Sequence, residues 1–198
     1  MSAYFVLLIA VLSRILPHAL HAASWNFTAV GGGLLFFGSR MGARPGAANH
    51  NFSWPMAARL APALAVLAAT DYYLTVYVYQ YPFRASAYLV TWVWYAAICL
   101  LGMGLLEKPS VLRVGLGALA TSTSFFLLSN FMVWVGGTVA SMYPHTLAGL
   151  GACLTAGLPF YRNDLVSTAI TAGAFFGLPI LATKIVETLH AAQDLPLA

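Results

Sequence analysis

The decisive stretch of the chain is Arg14-Ile15-Leu16-Pro17-His18, followed closely by Trp25-Asn26-Phe27-Thr28-Ala29-Val30-Gly31-Gly32. A cation, a proline and a histidine end one apolar run, and a polar turn then opens a second run that is rich in glycine. Ionic and polar groups are rare within membrane spans, where they usually mark a function. We therefore expect this corner to form one wall of a binding site on one face of a membrane protein.

Composition points to the same class of protein. Hydrophobic residues make up 61% of the chain and charged residues only 7%, and the mean hydropathy is +0.81. A soluble domain carries about 25% charged residues. We predict an all-α integral membrane protein that forms a compact bundle of six or seven transmembrane helices, with residues 1–198 as a single domain. The net charge of +4 is small and scattered, so we expect no nucleic-acid partner.

Seven apolar segments are separated by loops that contain proline and glycine. Five approach or exceed the length of about 20 residues that a helix needs to cross a bilayer. These five cover about 3–20, 55–76, 86–106, 112–135 and 164–189. The other two, about 27–37 and 145–160, are short, and either could be a partial or a full crossing.

The distribution of basic residues predicts the orientation of the chain. If all seven segments cross, Arg84 lies on the side opposite the N-terminus, together with Lys184 near the end of the last span. Five basic residues lie on the N-terminal side: Arg40, Arg44, Lys108, Arg113 and Arg162. Positive charge is enriched in cytoplasmic loops. We expect a multi-pass protein of the cell inner (plasma) membrane with a cytoplasmic N-terminus.

With this topology, polar and aromatic residues from different segments converge near the outer ends of the spans. The residues that we predict to bind a substrate are Arg14, His18, Asn26, Thr28, Asp71, Asn130, Trp134, Tyr143 and His145. Binding pockets are mostly apolar with a few well-placed polar groups, and this set fits that description.

Arg14 and Asp71 are the hardest of these residues to explain without a function. A charge at the bilayer centre costs about 2.5–3.5 kcal/mol, and less towards the interface. The two residues lie at similar depth and have opposite signs, so an ion pair between the first and third spans is the simplest interpretation. A direct contact of either residue with a ligand is compatible with that ion pair.

Other unusual residues have structural explanations. Trp92 and Trp94 are typical of the aromatic belt at a membrane interface. Asn130 could instead form a hydrogen bond with a neighbouring helix. Small residues recur at every fourth position of the third span, at Ala57, Ala61, Ala65 and Ala69. This ridge favours packing inside the bundle, and docking of a partner membrane protein is the alternative.

Metal binding and catalysis find little support. His18 and His21 are three residues apart and imidazole suits divalent metals, but Pro17 disrupts the helical face that they would share. The sequence has no paired-carboxylate site, and Gly31-Gly32-Gly33 has no lysine after it to hold a phosphate. We therefore predict neither an enzyme nor a metal site nor a cofactor. Without a nucleotide motif, transport would be passive, driven by an ion gradient, or powered by a separate motor.

Six stretches carry a family resemblance: 14–18 (RILPH), 26–31 (NFTAVG), 70–71 (TD), 129–134 (SNFMVW), 143–150 (YPHTLAGL) and 158–163 (LPFYRN). In this order they resemble a bacterial family of small multispanning proteins described only as transport proteins, over about residues 3–180. That family is similar in size and pattern to the S components, the substrate-binding subunits of energy-coupling factor vitamin transporters. The resemblance implies about six helices, a nutrient site near the outer face, and docking on a membrane scaffold with two ATPases. S components often carry an alanine-spaced docking motif on the first helix, whereas here the alanine ridge is on the third span.

The favoured function is therefore binding and uptake of a small polar or aromatic metabolite, similar to a vitamin, at a site near the outer face. Its partners would be the small-molecule substrate, the lipid bilayer and a scaffold–ATPase module. The alternative is an accessory subunit of a larger membrane complex, without a substrate of its own. A divalent metal transporter is less favoured.

Overall fold

The computed structural model describes residues 2–19, 27–42, 54–136 and 143–193. These residues form six α-helices and one π-helical turn, with no strand in the described ranges. The helices are α1 (Ala3–Ala19), α2 (Val30–Gly42), α3 (Trp54–Tyr73), α4 (Ala85–Leu105), α5 (Val111–Val135) and α6 (Leu147–Gln193), and the π turn Leu74–Val78 continues α3. The prediction of an all-α fold is confirmed.

Four helical stretches are long and apolar enough to cross a membrane, judged by length and composition. They are Ala58–Val78, Ala85–Leu105, Val111–Val135 and Leu147–Thr188. The apolar part of α1, Ala3–Pro17, is shorter. These helices are compatible with the membrane protein that the composition predicts.

The sixth and seventh predicted segments form one continuous helix, α6. The prediction of seven separate segments is therefore wrong. Pro159 lacks a backbone N–H and weakens a helix locally, but α5 holds this part of α6 in place. The Tyr161 hydroxyl lies 2.9 Å from the Thr123 hydroxyl, and the Tyr161 ring lies 4.8 Å from that of Phe126. Arg162, which the orientation argument assigns to a loop, therefore lies within α6 and is exposed.

The shortest helix, α2, lies at the centre of the bundle. Residues 30–39 are all buried, and the ring of Phe36 packs against Phe175 and Phe176 of α6 at 6.1 and 5.2 Å. With 13 residues at about 1.5 Å per residue, α2 is about 20 Å long, too short to cross a hydrocarbon core of about 30 Å. A half-length helix is tolerated at such a depth only when protein surrounds it.

Two glycines allow α2 and α4 to touch backbone to backbone. A Cβ atom at Gly38 would strike the carbonyl of Cys99, and one at Gly102 would strike the carbonyl of Leu35. Small residues at such contacts are typical of helix pairs in membranes.

The alanine ridge of α3 faces away from the bundle, so the expectation of internal packing is wrong. Ala61, Ala65 and Ala69 are exposed, and the side chain of Ala57 lies outside the described residues. The bulkier residues of the opposite face, Leu60 and Leu67, are buried. Apolar burial therefore orients α3 with its small residues outward.

Gly102→Ala should destabilise the protein, because the new methyl group would meet backbone atoms that cannot rotate away. Overpacking of this kind costs about 1–3 kcal/mol. Gly104→Ala is the matched control on the same helix, since no atom lies within 4 Å of its Cβ position. Thermal unfolding in detergent should show a lower Tm for Gly102→Ala alone, and equal Tm values for the two variants would contradict the close contact.

Candidate functional site

A cavity of about 240 Å³ lies where all six helices approach one another. Its polar walls are formed by Ser13, Arg14, Thr28, Asp71, Thr75 and Asp164. Its aromatic walls are formed by Phe27, Tyr79, Tyr88, Trp94, Tyr95 and Phe125. The first residues of α2, Val30 and Gly31, also line it.

Asp71 holds three helices together at this cavity. The carboxylate is only 2% exposed and pairs with Arg14 of α1, whose Nη2 donates to Oδ1 at 2.5 Å. Two groups of α4 also donate, Trp92 Nε1 to Oδ2 at 3.0 Å and the Tyr95 hydroxyl to Oδ1 at 3.4 Å. The predicted ion pair between the first and third spans is confirmed, and the carboxylate has donors on both oxygens.

Arg14 is only partly used by this ion pair. Its side chain is 16% exposed, and its second terminal nitrogen, Nη1, is buried without a hydrogen-bond partner among the described residues. A guanidinium remains charged under all ordinary conditions and presents its donors in a fixed fork. One side of that fork holds Asp71, and the nitrogen on the other side is a buried donor without an acceptor among the described residues.

The π turn shapes the wall beside Asp71. The Thr75 hydroxyl donates its one proton to the Asp71 backbone carbonyl at 2.6 Å. It must therefore accept from the Tyr88 hydroxyl, which lies 2.5 Å away. Tyr79 N–H bonds the Leu74 carbonyl five residues back. Single π turns inside helices are rare, and those that occur are often found at functional sites.

Aromatic rings cover this part of the site. Phe83 stacks on Tyr88 at 5.2 Å with an angle of 14° between the rings, and Trp92 continues the stack. Trp94 is buried and donates to the Ser124 hydroxyl at 3.0 Å. The belt interpretation is therefore wrong for Trp94, which is buried; Trp92 is partly exposed, and its indole N–H bonds to Asp71.

Asp164 was not among the predicted site residues. The sequence Arg162-Asn163-Asp164 resembles a loop between two spans, but it lies inside α6, where Asp164 lines the cavity. Asp164 also lines a second cavity of about 180 Å³ between α5 and α6. The one available signal was an acidic residue between two long apolar runs.

The predicted residues fall into separate places. Arg14, Thr28 and Asp71 line the main cavity. Asn130 lines the second cavity, where its side chain donates to the Phe126 carbonyl at 2.8 Å. The expected contact of the Asn130 side chain with a neighbouring helix is also present, since the Cys153 thiol of α6 lies 3.8 Å from its Oδ1 and donates to it.

The remaining predictions lie at the edge of the site or outside the described residues. Trp134 donates to the Pro144 carbonyl at 2.9 Å, and His145 lies edge-on to its ring at 5.6 Å. These residues and Tyr143 lie where α5 connects to α6 and do not line the main cavity. Asn26 and the His18 side chain lie outside the described residues. Within the described ranges, no group of three or more His, Cys, Asp or Glu residues could hold a metal ion.

The fold and the cavity define an all-helical bundle with an internal polar site. The chain belongs to DUF6580, a family of unknown function whose profile matches residues 1–189. No curated protein and no solved structure matches the chain. The family match includes every cavity residue described above.

Replacing either Arg14 or Asp71 by alanine should destabilise the bundle, because each change leaves one buried charge unpaired. Losses of this kind are about 3–5 kcal/mol. The double variant Arg14→Met/Asp71→Leu should recover much of the loss, since it removes both charges. A double-mutant cycle on thermal unfolding measures the coupling, and additive losses would show that the two residues do not interact.

Proposed function

We propose that this protein is a multi-pass inner-membrane protein that binds a small polar or aromatic metabolite in the main cavity for uptake. The observation that carries the proposal is the Arg14 guanidinium, which lines a cavity and keeps one nitrogen without a protein partner. Aromatic walls combined with placed polar groups are typical of small-molecule sites.

A purely structural role explains Arg14 less well. Neutralising Asp71 requires one side of the guanidinium, and the unpaired nitrogen then carries a penalty of about 1–3 kcal/mol or more. If the Arg14 side chain turns this nitrogen towards the cavity, a ligand can accept its hydrogen bond and remove the penalty. The free protein is thus left with an unsatisfied donor that a ligand can satisfy.

The proposed orientation is compatible with uptake. Lys108 and Arg113 between α4 and α5 lie on one side of the bundle, and Arg84 between α3 and α4 lies on the other. The positive-inside rule favours a cytoplasmic N-terminus. The chain returns along α2 between α1 and α3, since Tyr4 near the start of α1 contacts Phe37, and Arg59 near the start of α3 donates to the Met41 carbonyl. A cytoplasmic N-terminus would therefore put the ends of α1 and α3, and the cavity, near the outer face. An S-component-like protein would then use a scaffold–ATPase module as its motor.

Arg14→Lys tests the site without removing the buried cation. Lysine can pair with Asp71 but cannot present a second nitrogen in a fixed fork, so ligand affinity should fall about 10- to 100-fold. The matched control is Arg113→Lys, an exposed position outside the cavity. Both variants should remain folded.

The measurement is a thermal-shift screen of purified wild-type protein against vitamins, nucleobases, amino acids and divalent metals. A ligand that binds only the folded protein raises Tm, and the rise grows with the ratio of ligand concentration to Kd. We expect at least one metabolite to raise the Tm of wild type and Arg113→Lys, and to raise that of Arg14→Lys much less. Equal shifts in all three proteins would defeat the assignment of Arg14, and a preference for divalent metals would favour the metal transporter.

The exposed alanine ridge of α3 favours the second candidate function, an accessory subunit of a larger membrane complex. Gly173 and Gly177 of α6 are also exposed, with no atom within 4 Å of their Cβ positions. An accessory subunit should co-purify stoichiometrically with partner proteins in mild detergent and show no metabolite-dependent Tm. A substrate-binding protein that is not docked on its scaffold should purify alone and should show a Tm that rises with its metabolite.

A further inference from the structure

The acidic and basic side chains of the main cavity do not balance. Of the described residues that line it, Arg14 is basic, and Asp71 and Asp164 are acidic. Arg14 and Asp71 neutralise each other in a direct ion pair. No basic side chain pairs with Asp164 within the part of the chain that the structure describes. With both acids ionised, the cavity carries one unmatched negative charge.

Aromatic rings line the same cavity as this unmatched charge. Trp94 packs against Phe125 at 4.7 Å and against Tyr95 at 5.8 Å between ring centres, and all three residues line the cavity together with Asp164. The faces of aromatic rings attract cations, and Trp does so most strongly. A cavity lined by both a carboxylate and aromatic rings offers an organic ammonium group a countercharge and ring faces to lie against.

From these observations we infer that the ligand of the main cavity is a small organic cation. Its protonated nitrogen pairs with Asp164, and its apolar body lies against Trp94 and Phe125. A hydrogen-bond acceptor elsewhere on the ligand meets the guanidinium of Arg14. The inference rests on the proposed function, since it names the chemical class that the same cavity would bind.

The other charge classes fit less well. An anion would lie close to Asp164, and the cation that could compensate, Arg14, is already bound to Asp71. A neutral ligand would leave a carboxylate unpaired in a partly desolvated site, which is costly unless the carboxylate takes up a proton. The cavity, at about 240 Å³, is smaller than the roughly 300–1,000 Å³ of typical ligand pockets, which favours a single small ring or a short chain.

Three probes of nearly equal size test the charge preference directly. They are meta-picolylamine, which is protonated at neutral pH, its neutral analogue meta-pyridylmethanol, and the anion pyridine-meta-carboxylate. Each carries a ring nitrogen that can accept a hydrogen bond from Arg14. Binding is measured by calorimetry and by Tm on the full-length protein in detergent, and wild type should bind the cation about tenfold or more tighter than either analogue.

The variant Asp164→Asn should lose affinity for picolylamine by about 10- to 100-fold and should not lose affinity for pyridylmethanol. The matched control is Glu187→Gln, which removes one exposed carboxylate from the same helix and should bind picolylamine as wild type does. Without ligand, Asp164→Asn should unfold at the same or a higher temperature, because the change removes an unpaired charge. Asp164→Glu retains the charge and should retain the preference for the cation.

A wild-type protein that binds picolylamine no better than its analogues, or not at all, overturns this inference without any variant. Retention of picolylamine by Asp164→Asn overturns it as well, and would indicate that Asp164 carries a proton. The proposed function survives either result if a metabolite of another charge binds in a manner that depends on Arg14. It fails separately if the metabolite screen of wild type and Arg14→Lys reveals no such ligand.

Discussion

The bundle depends on the satisfaction of one buried carboxylate, that of Asp71. An isolated ionised carboxyl group away from water is strongly unfavourable, so its surroundings must supply both charge and donors. Arg14 of α1 supplies the charge, and Trp92 and Tyr95 of α4 supply further donors. Because the donors come from different helices, satisfying Asp71 fixes α1, α3 and α4 relative to one another.

The second constraint is the short central helix. Since α2 is shorter than the hydrocarbon core, its ends must be satisfied by protein or by the cavity. The Ser13 hydroxyl accepts the N–H of Ala29 at 2.9 Å, just before α2 begins. The first turn of α2 then lines the cavity at Val30 and Gly31. A fold with a half-length helix at its centre thus leaves an internal polar space at the start of that helix.

Hydropathy locates most of the helices, and the opposite charges of Arg14 and Asp71 at similar depth predict their ion pair. Three features could not be predicted in this way. The inward direction of Trp94 depends on Ser124, a partner on another helix, and the outward direction of Ala65 depends on which face of α3 is bulkier. The continuity of α6 depends on Tyr161 and its contacts with α5. Local patterns indicate where spans occur, whereas the direction of a side chain is decided by its neighbours.

The missed residue, Asp164, clarifies how stability and binding divide among the charged groups. Asp71 and the Nη2 atom of Arg14 are bound to each other, so they maintain the fold and cannot change partners without exposing a buried charge. Among the described residues, Asp164 has no ion-pair partner and the Nη1 atom of Arg14 has no hydrogen-bond partner. Substitutions at Asp71 therefore affect folding and binding together, whereas Asp164 can lose its charge without breaking an ion pair. The chemistry of the ligand is consequently better examined at Asp164 than at the residues that first identified the site.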